Sequence, residues 1–189
     1  MSLIEVILSL SLVSMVLMAG MDVLSMAVGQ QVVEARQTRV QSDAFLGWRA
    51  AEVELRESTE IFVPAGVGGT SDSLSGCRNH DSRLGAGAAG ALDPSQPVTS
   101  FLFCASGGSL HFYQTAGCPT TVICGAAGGL VVANGVSHLP PAATYFSIPA
   151  PGLVRVVYQT SAQSQAQAKA QTQAVDVEVA FNRAAGTNQ

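Results

Sequence analysis

Charge is what this sequence has least of. Only 12% of its 189 residues are Asp, Glu, Lys or Arg, about half the usual share of a soluble domain. Nine of these are basic, they form no cluster, and none precedes Arg36. With a net charge of -4, the chain offers no basic face for nucleic acid, so a nucleic-acid partner is not indicated. Aromatic residues are scarce at 6%. Proline is absent before Pro64, so nothing of that kind interrupts a helix over the first third of the chain. No two cysteines stand in a C-x-x-C pattern, and His80, His111 and His138 are scattered. The spacing therefore does not favour a zinc centre, and no metal or other cofactor is expected.

Enzyme motifs are missing as well. The run Gly85-Ala86-Gly87-Ala88-Ala89-Gly90 formally satisfies GxGxxG. No strand precedes it, and no helix with a partner acid follows, so a dinucleotide site is rejected. Ser106-Gly107-Gly108-Ser109 is not a nucleophile elbow, and no Ser-His-Asp set can be assembled. His80-Asp81 reads as a pair of loop neighbours. The chain is not expected to be an enzyme.

What is present is concentrated at the start. From Met1 to Met21 the only formal side-chain charge is Glu5. At about 1.5 Å per residue this stretch spans roughly 31 Å, the thickness of a bilayer core. A cleavable secretory signal would carry basic residues first and a shorter apolar run. An ordinary membrane anchor explains the length but leaves Glu5 unexplained, since a carboxylate in hydrocarbon costs several kcal/mol.

The run Ser2-Leu3-Ile4-Glu5-Val6 resembles the start of mature type IV pilins and type II secretion pseudopilins. The resemblance is specific over residues 1 to about 25. It implies that a basic leader is cut off before Met1 by a prepilin peptidase, and that Met1 is then methylated. It further implies that Glu5 neutralises the Met1 amine of a neighbouring subunit during assembly. Pairing a buried carboxylate in this way favours one register between adjacent helices. Many members carry Pro near position 22; here Gly20 and Asp22 occupy that neighbourhood. Ser9, Ser11, Ser14, Ala19, Ser25 and Gly29 are small and permit close helix approach.

The helix is expected to continue. Val33, Val40, Ala44, Trp48, Ala51 and Leu55 recur as an apolar stripe with charges opposite, an amphipathic pattern suited to packing on a globular domain. The whole helix would run from about residue 2 to 60, about 90 Å at the standard rise. The expected organisation is a membrane and polymerisation half at 1–25, an amphipathic half at 26–62, and a globular antiparallel β domain at 63–189. The fold class is thus α+β, a long N-terminal spine helix on an antiparallel sheet, pilin-like.

Within the β domain, residues 64–97 are rich in Gly, Ser, Ala and Pro and read as an extended loop. Strands are expected at 98–105, 109–114, 120–124, 129–136, 144–148, 153–160 and 174–182. Gly107-Gly108 signals a hairpin and Asn134-Gly135 a turn. Residues 161–174 alternate Gln and Ala around Lys169; they suit a disordered hairpin tip, a helix or an extension of both strands, and composition favours a mobile excursion of the last hairpin. Four cysteines allow three connectivities. The short loop around Pro119 favours Cys118–Cys124, which leaves Cys77–Cys104.

The order of elements also resembles the larger minor subunits, the J-type minor pseudopilins and PilW-type minor pilins. The resemblance implies a structural subunit with other pilin subunits, the inner membrane, a prepilin peptidase and an assembly platform as partners. It implies residence in the bacterial inner membrane, then in a periplasmic pseudopilus or extracellular pilus. Two alternatives stand beside it: a major shaft pilin, and a membrane-anchored extracytoplasmic binding or adhesive domain that never polymerises.

Overall fold

The computed structural model describes residues 2–162 and 171–181. Helix α1 runs unbroken from Leu3 to Glu57. Ten strands follow: β1 Glu60–Val63, β2 Thr70–Ser71, β3 Ser73–Arg78, β4 Thr99–Ser106, β5 Ser109–Ala116, β6 Leu130–Asn134, β7 Val136–Ser137, β8 Phe146–Ala150, β9 Leu153–Ala162 and β10 Gln171–Ala180. One sheet has the order β1-β3-β4-β5-β6, and the other β10-β9-β8-β2, with β7 paired to β9. The strand pairs are antiparallel. This is the α+β class expected from the sequence, one long N-terminal helix and antiparallel sheets. The chain divides into two compact units, residues 1–39 and 40–189.

In the second unit, the expected stripe is the buried one from Val40 onward. Val40, Ala44, Ala51 and Leu55 are buried, with Gly47 among them. Ala44, Ala51 and Leu55 pack with Leu74, Phe101, Phe103, Leu110, Val154, Val156 and Tyr158 into one core. Tyr158 and Thr160 on β9 also bond the helix directly. The Tyr158 hydroxyl donates to the Ala44 carbonyl at 2.7 Å, and Thr160 Oγ1 to the Val40 carbonyl at 3.1 Å. On β10, Val175 and Val179 are buried while Asp176 and Glu178 are exposed, the expected period of two.

Several boundaries differ from expectation. The helix stops at Glu57 rather than near residue 60–62. Ser58 turns the chain, its amide and hydroxyl both donating to the Leu55 carbonyl at 3.2 and 2.7 Å. The β-branched and aromatic run Ile61-Phe62-Val63 then pairs with β3, a preference that outweighs helix continuation. The supposed loop 64–97 contains β2, β3 and a short 3-10 turn at Gly87–Gly90. Its strand β3 lies inside the sheet, and its Ser and Gly content hid it. Gly76 is required there: a Cβ would meet the Glu60 carbonyl at 2.6 Å and the Phe101 ring at 2.7 Å. Close backbone approach is one reason strands hold glycine.

Conversely, the expected strand 120–124 is irregular. Thr120 Oγ1 accepts its amide bond from Val122 at 3.2 Å, a local side-chain bond that competes with a ladder. At the expected turn, Asn134-Gly135, the chain bends out of β6 in one sheet and enters β7 in the other. Residues 161–162 and 171–174 extend the two strands as the ends of β9 and β10, paired in register as Gln171 to Ala162, rather than forming a mobile excursion. The rest of that segment, 163–170, lies outside the described residues.

Candidate functional site

The first unit is the N-terminal stretch of helix α1. Every residue from Ser2 to Val32 is exposed, including Leu3, Ile4, Ile7, Leu10, Met15, Met18 and Leu24. This helix is long and apolar enough to cross a membrane. Leaving a buried-type apolar side chain in water forfeits about 1.5–3 kcal/mol each, so this surface demands an apolar surrounding. The serines do not contradict that. Ser9 bonds the carbonyls of Glu5 and Val6, Ser11 that of Leu8, Ser14 that of Ser11 and Ser25 that of Asp22. Each hydroxyl is satisfied inside the helix, which is what an apolar environment requires.

Glu5 sits in the first turn. Its carboxylate Oε2 accepts a bond from the Ser2 amide at 3.4 Å, and its own amide donates to the Ser2 carbonyl at 3.0 Å. Ser2 to Glu5 is thus one arm of a capping box, the S-x-x-E pattern in which the acid reaches back to an amide that the helix leaves open. The carboxylate also lies at the positive end of the helix dipole. The S-x-x-E spacing of Ser2 and Glu5 is the sequence signal for this role. The expected partner of Glu5, the Met1 amine, lies outside the described residues.

All four cysteines are bridged, but not in the expected pairs. The disulfides are Cys77–Cys118 and Cys104–Cys124, with Cα atoms 6.0 and 5.9 Å apart. The sheet register explains the correction. Cys77 faces Ser100 on β4, while Cys104 faces Ser73 on β3. Four rows at about 3.4 Å each hold Cys77 and Cys104 roughly 14 Å apart, beyond the reach of a bridge. Each strand cysteine instead takes one end of the irregular 118–124 segment.

Charged groups in the second unit are largely paired. Glu52 is bonded by Arg49 and Arg56 at 2.5 and 2.6 Å. Arg78 meets Glu54 at 2.6 Å and also contacts Glu57. Burial pushes the Glu54 carboxyl up from its ordinary pKa, and the Arg78 guanidinium only partly offsets this. Arg83 holds the Asp81 carboxyl down to about 2 through two side-chain bonds and one from its amide. These groups tie the helix end to β3 and close the loop after it.

No family model, curated protein or solved structure matches this chain.

Proposed function

We propose that this chain is a structural subunit, a minor pilin or pseudopilin, of a type IV pilus-like filament. The observation that carries the reading is the first unit: an exposed, largely apolar helix through Val32, with the carboxylate of Glu5 in its opening turn. A plain anchor accounts for the first feature and needs the second only as a helix cap, whereas a filament gives the carboxylate a cation to neutralise. In the bacterial inner membrane, lipid solvates this helix. On assembly, neighbouring helices replace the lipid, and Glu5 neutralises the methylated Met1 amine of an adjacent subunit.

Two further observations support the reading. The serine hydroxyls are closed onto their own helix, which leaves an outer surface that lipid and other helices can cover equally well. Two disulfides in the β unit suit an oxidising compartment such as the periplasm or cell exterior. The β unit then carries what is specific to this subunit, and assembly motors elsewhere do the work.

The test is Glu5→Val in the native cell. The variant is expected to remain a stable membrane protein and to be lost from sheared filaments. Normal incorporation of Glu5→Val would overturn the pairing.

A further inference from the structure

The two sheets have four edge strands, and three of them are short or irregular. Strand β1 has four residues and a register shift against β3. Strand β6 has five and a shift against β5. Strand β2 has two. Edges of this kind resist pairing with another chain. Strand β10, at the end of the second sheet, is different. It pairs with β9 through ten consecutive residues without a bulge, and it contains no Pro, Gly, Lys or Arg.

The hydrogen bonds of β9 assign the backbone groups that β10 leaves free. The Val157 amide donates to the Tyr145 carbonyl at 2.8 Å and the Ser161 amide to the Gly135 carbonyl at 2.9 Å. Both bonds run away from β10. Val157 faces Asp176 and Ser161 faces Thr172, so these are pairs that exchange no bonds across the two strands. Asp176 and Thr172 therefore turn their own N–H and C=O to the open side, and the period of two adds Ala174, Glu178 and Ala180. The Phe181 amide, one residue out of phase, bonds the Gly152 carbonyl on the β9 side at 3.0 Å. At the open side, the Ala174 carbonyl accepts a side-chain bond from Gln173 at 3.2 Å, where an added strand's amide would donate.

A groove runs along this edge. Ala44, Phe45 and Trp48 of α1 form one wall and the consecutive residues 173–177 the other; the groove continues from Trp48 past Glu52 along residues 177–180. Residues from both faces of β10 line it, so it follows the backbone edge and not one face. Phe45 is 55% exposed and meets Trp48 edge to face at 5.9 Å. Arg155 faces Glu178 in register but gives its guanidinium to Asp176, at 2.7 and 2.6 Å. Glu178 is left exposed without an ion pair among the described residues. None of the four edge strands carries Lys or Arg, so the edge of a second copy supplies no cation for it.

We propose that the edge of β10 binds an extended segment of a different protein, which adds a strand to the sheet. The segment's backbone bonds the free groups of Ala174, Asp176 and Glu178. Its alternate side chains are apolar and cover Phe45 and Trp48. A Lys or Arg between them lies beside Glu178.

The test uses the full chain in uncharged detergent and a blocked peptide of about eight residues alternating valine with lysine. Trp48 is the chain's one tryptophan, so its fluorescence is expected to report binding. Amide exchange at Ala174, Asp176 and Glu178 is expected to slow about tenfold or more, with no change at Val175 and Val177, whose amides face β9. The same peptide N-methylated throughout should not bind. Glu178→Lys, at an exposed position, should transfer the preference to a peptide with glutamate in place of lysine. Unchanged exchange at the three amides would overturn the proposal. So would equal binding of the N-methylated peptide, the mark of an apolar groove alone, or protection that grows with protein concentration without peptide, the mark of a second copy.

Discussion

At the scale of single residues, function and packing rest on a few side chains with one job each. Gly47 lets β9 approach the helix. A Cβ there would lie 2.6 Å from the Tyr158 hydroxyl and 3.0 Å from the Ala133 methyl. Gly47→Ala should therefore destabilise the β unit by about 1–3 kcal/mol, despite its better helix propensity; urea unfolding reads this directly. Tyr158→Phe removes one buried hydrogen bond and should cost about 1 kcal/mol in the same assay. Glu54 gives a pH signature. Its folded pKa is raised, chiefly by burial. Its contribution to stability is thus full below the ordinary 4.5 and is lost as pH rises through the raised folded value. Glu54→Gln should flatten that part of the stability profile, measured by unfolding across the acid range. Glu5 is legible at this scale as a charge out of place, and its capping arm to Ser2 is encoded in the S-x-x-E spacing.

At the scale of elements, periodicity made some things plain. The stripe from Val40 to Leu55 and the alternation of Val175, Val179 with Asp176, Glu178 follow from 3.6- and 2-residue periods, and the structure places them accordingly. Elements without a period were invisible. Strand β3 is Ser-Leu-Ser-Gly-Cys-Arg; it is a strand because β1 and β4 flank it and because Gly76 admits the Phe101 ring. The 118–124 segment reads as β-prone but is tied at its two cysteines to different strands. The cysteine pairing depended on the β3–β4 register, which local spacing does not contain. The two bridges close loops of different size, 41 and 20 residues. Replacing either pair by serine should cost about 2–4 kcal/mol. Loss of Cys77–Cys118 should cost about 0.6 kcal/mol more, since its loop is twice as long. Equal or reversed midpoint shifts in urea would show that strain or unfolded-state structure governs instead.

At the scale of the whole molecule, the two compact units have opposite needs. Residues 40–189 own a packed core and two disulfides; residues 2–32 are exposed throughout. A fragment beginning at Val40 is expected to be soluble, monomeric and cooperative in unfolding, whereas the full chain should require detergent; sedimentation and extraction distinguish the two. The proposed assembly moves the apolar helix from lipid into a filament through Glu5. The most direct measurement is mass spectrometry of filaments sheared from the native cell, reading this chain's N-terminal peptide and its abundance. The expected result is a methylated Met1 on a chain present in trace amount, as for a minor subunit. An unmethylated terminus, with the protein left in the membrane and absent from the sheared fraction, would contradict the account.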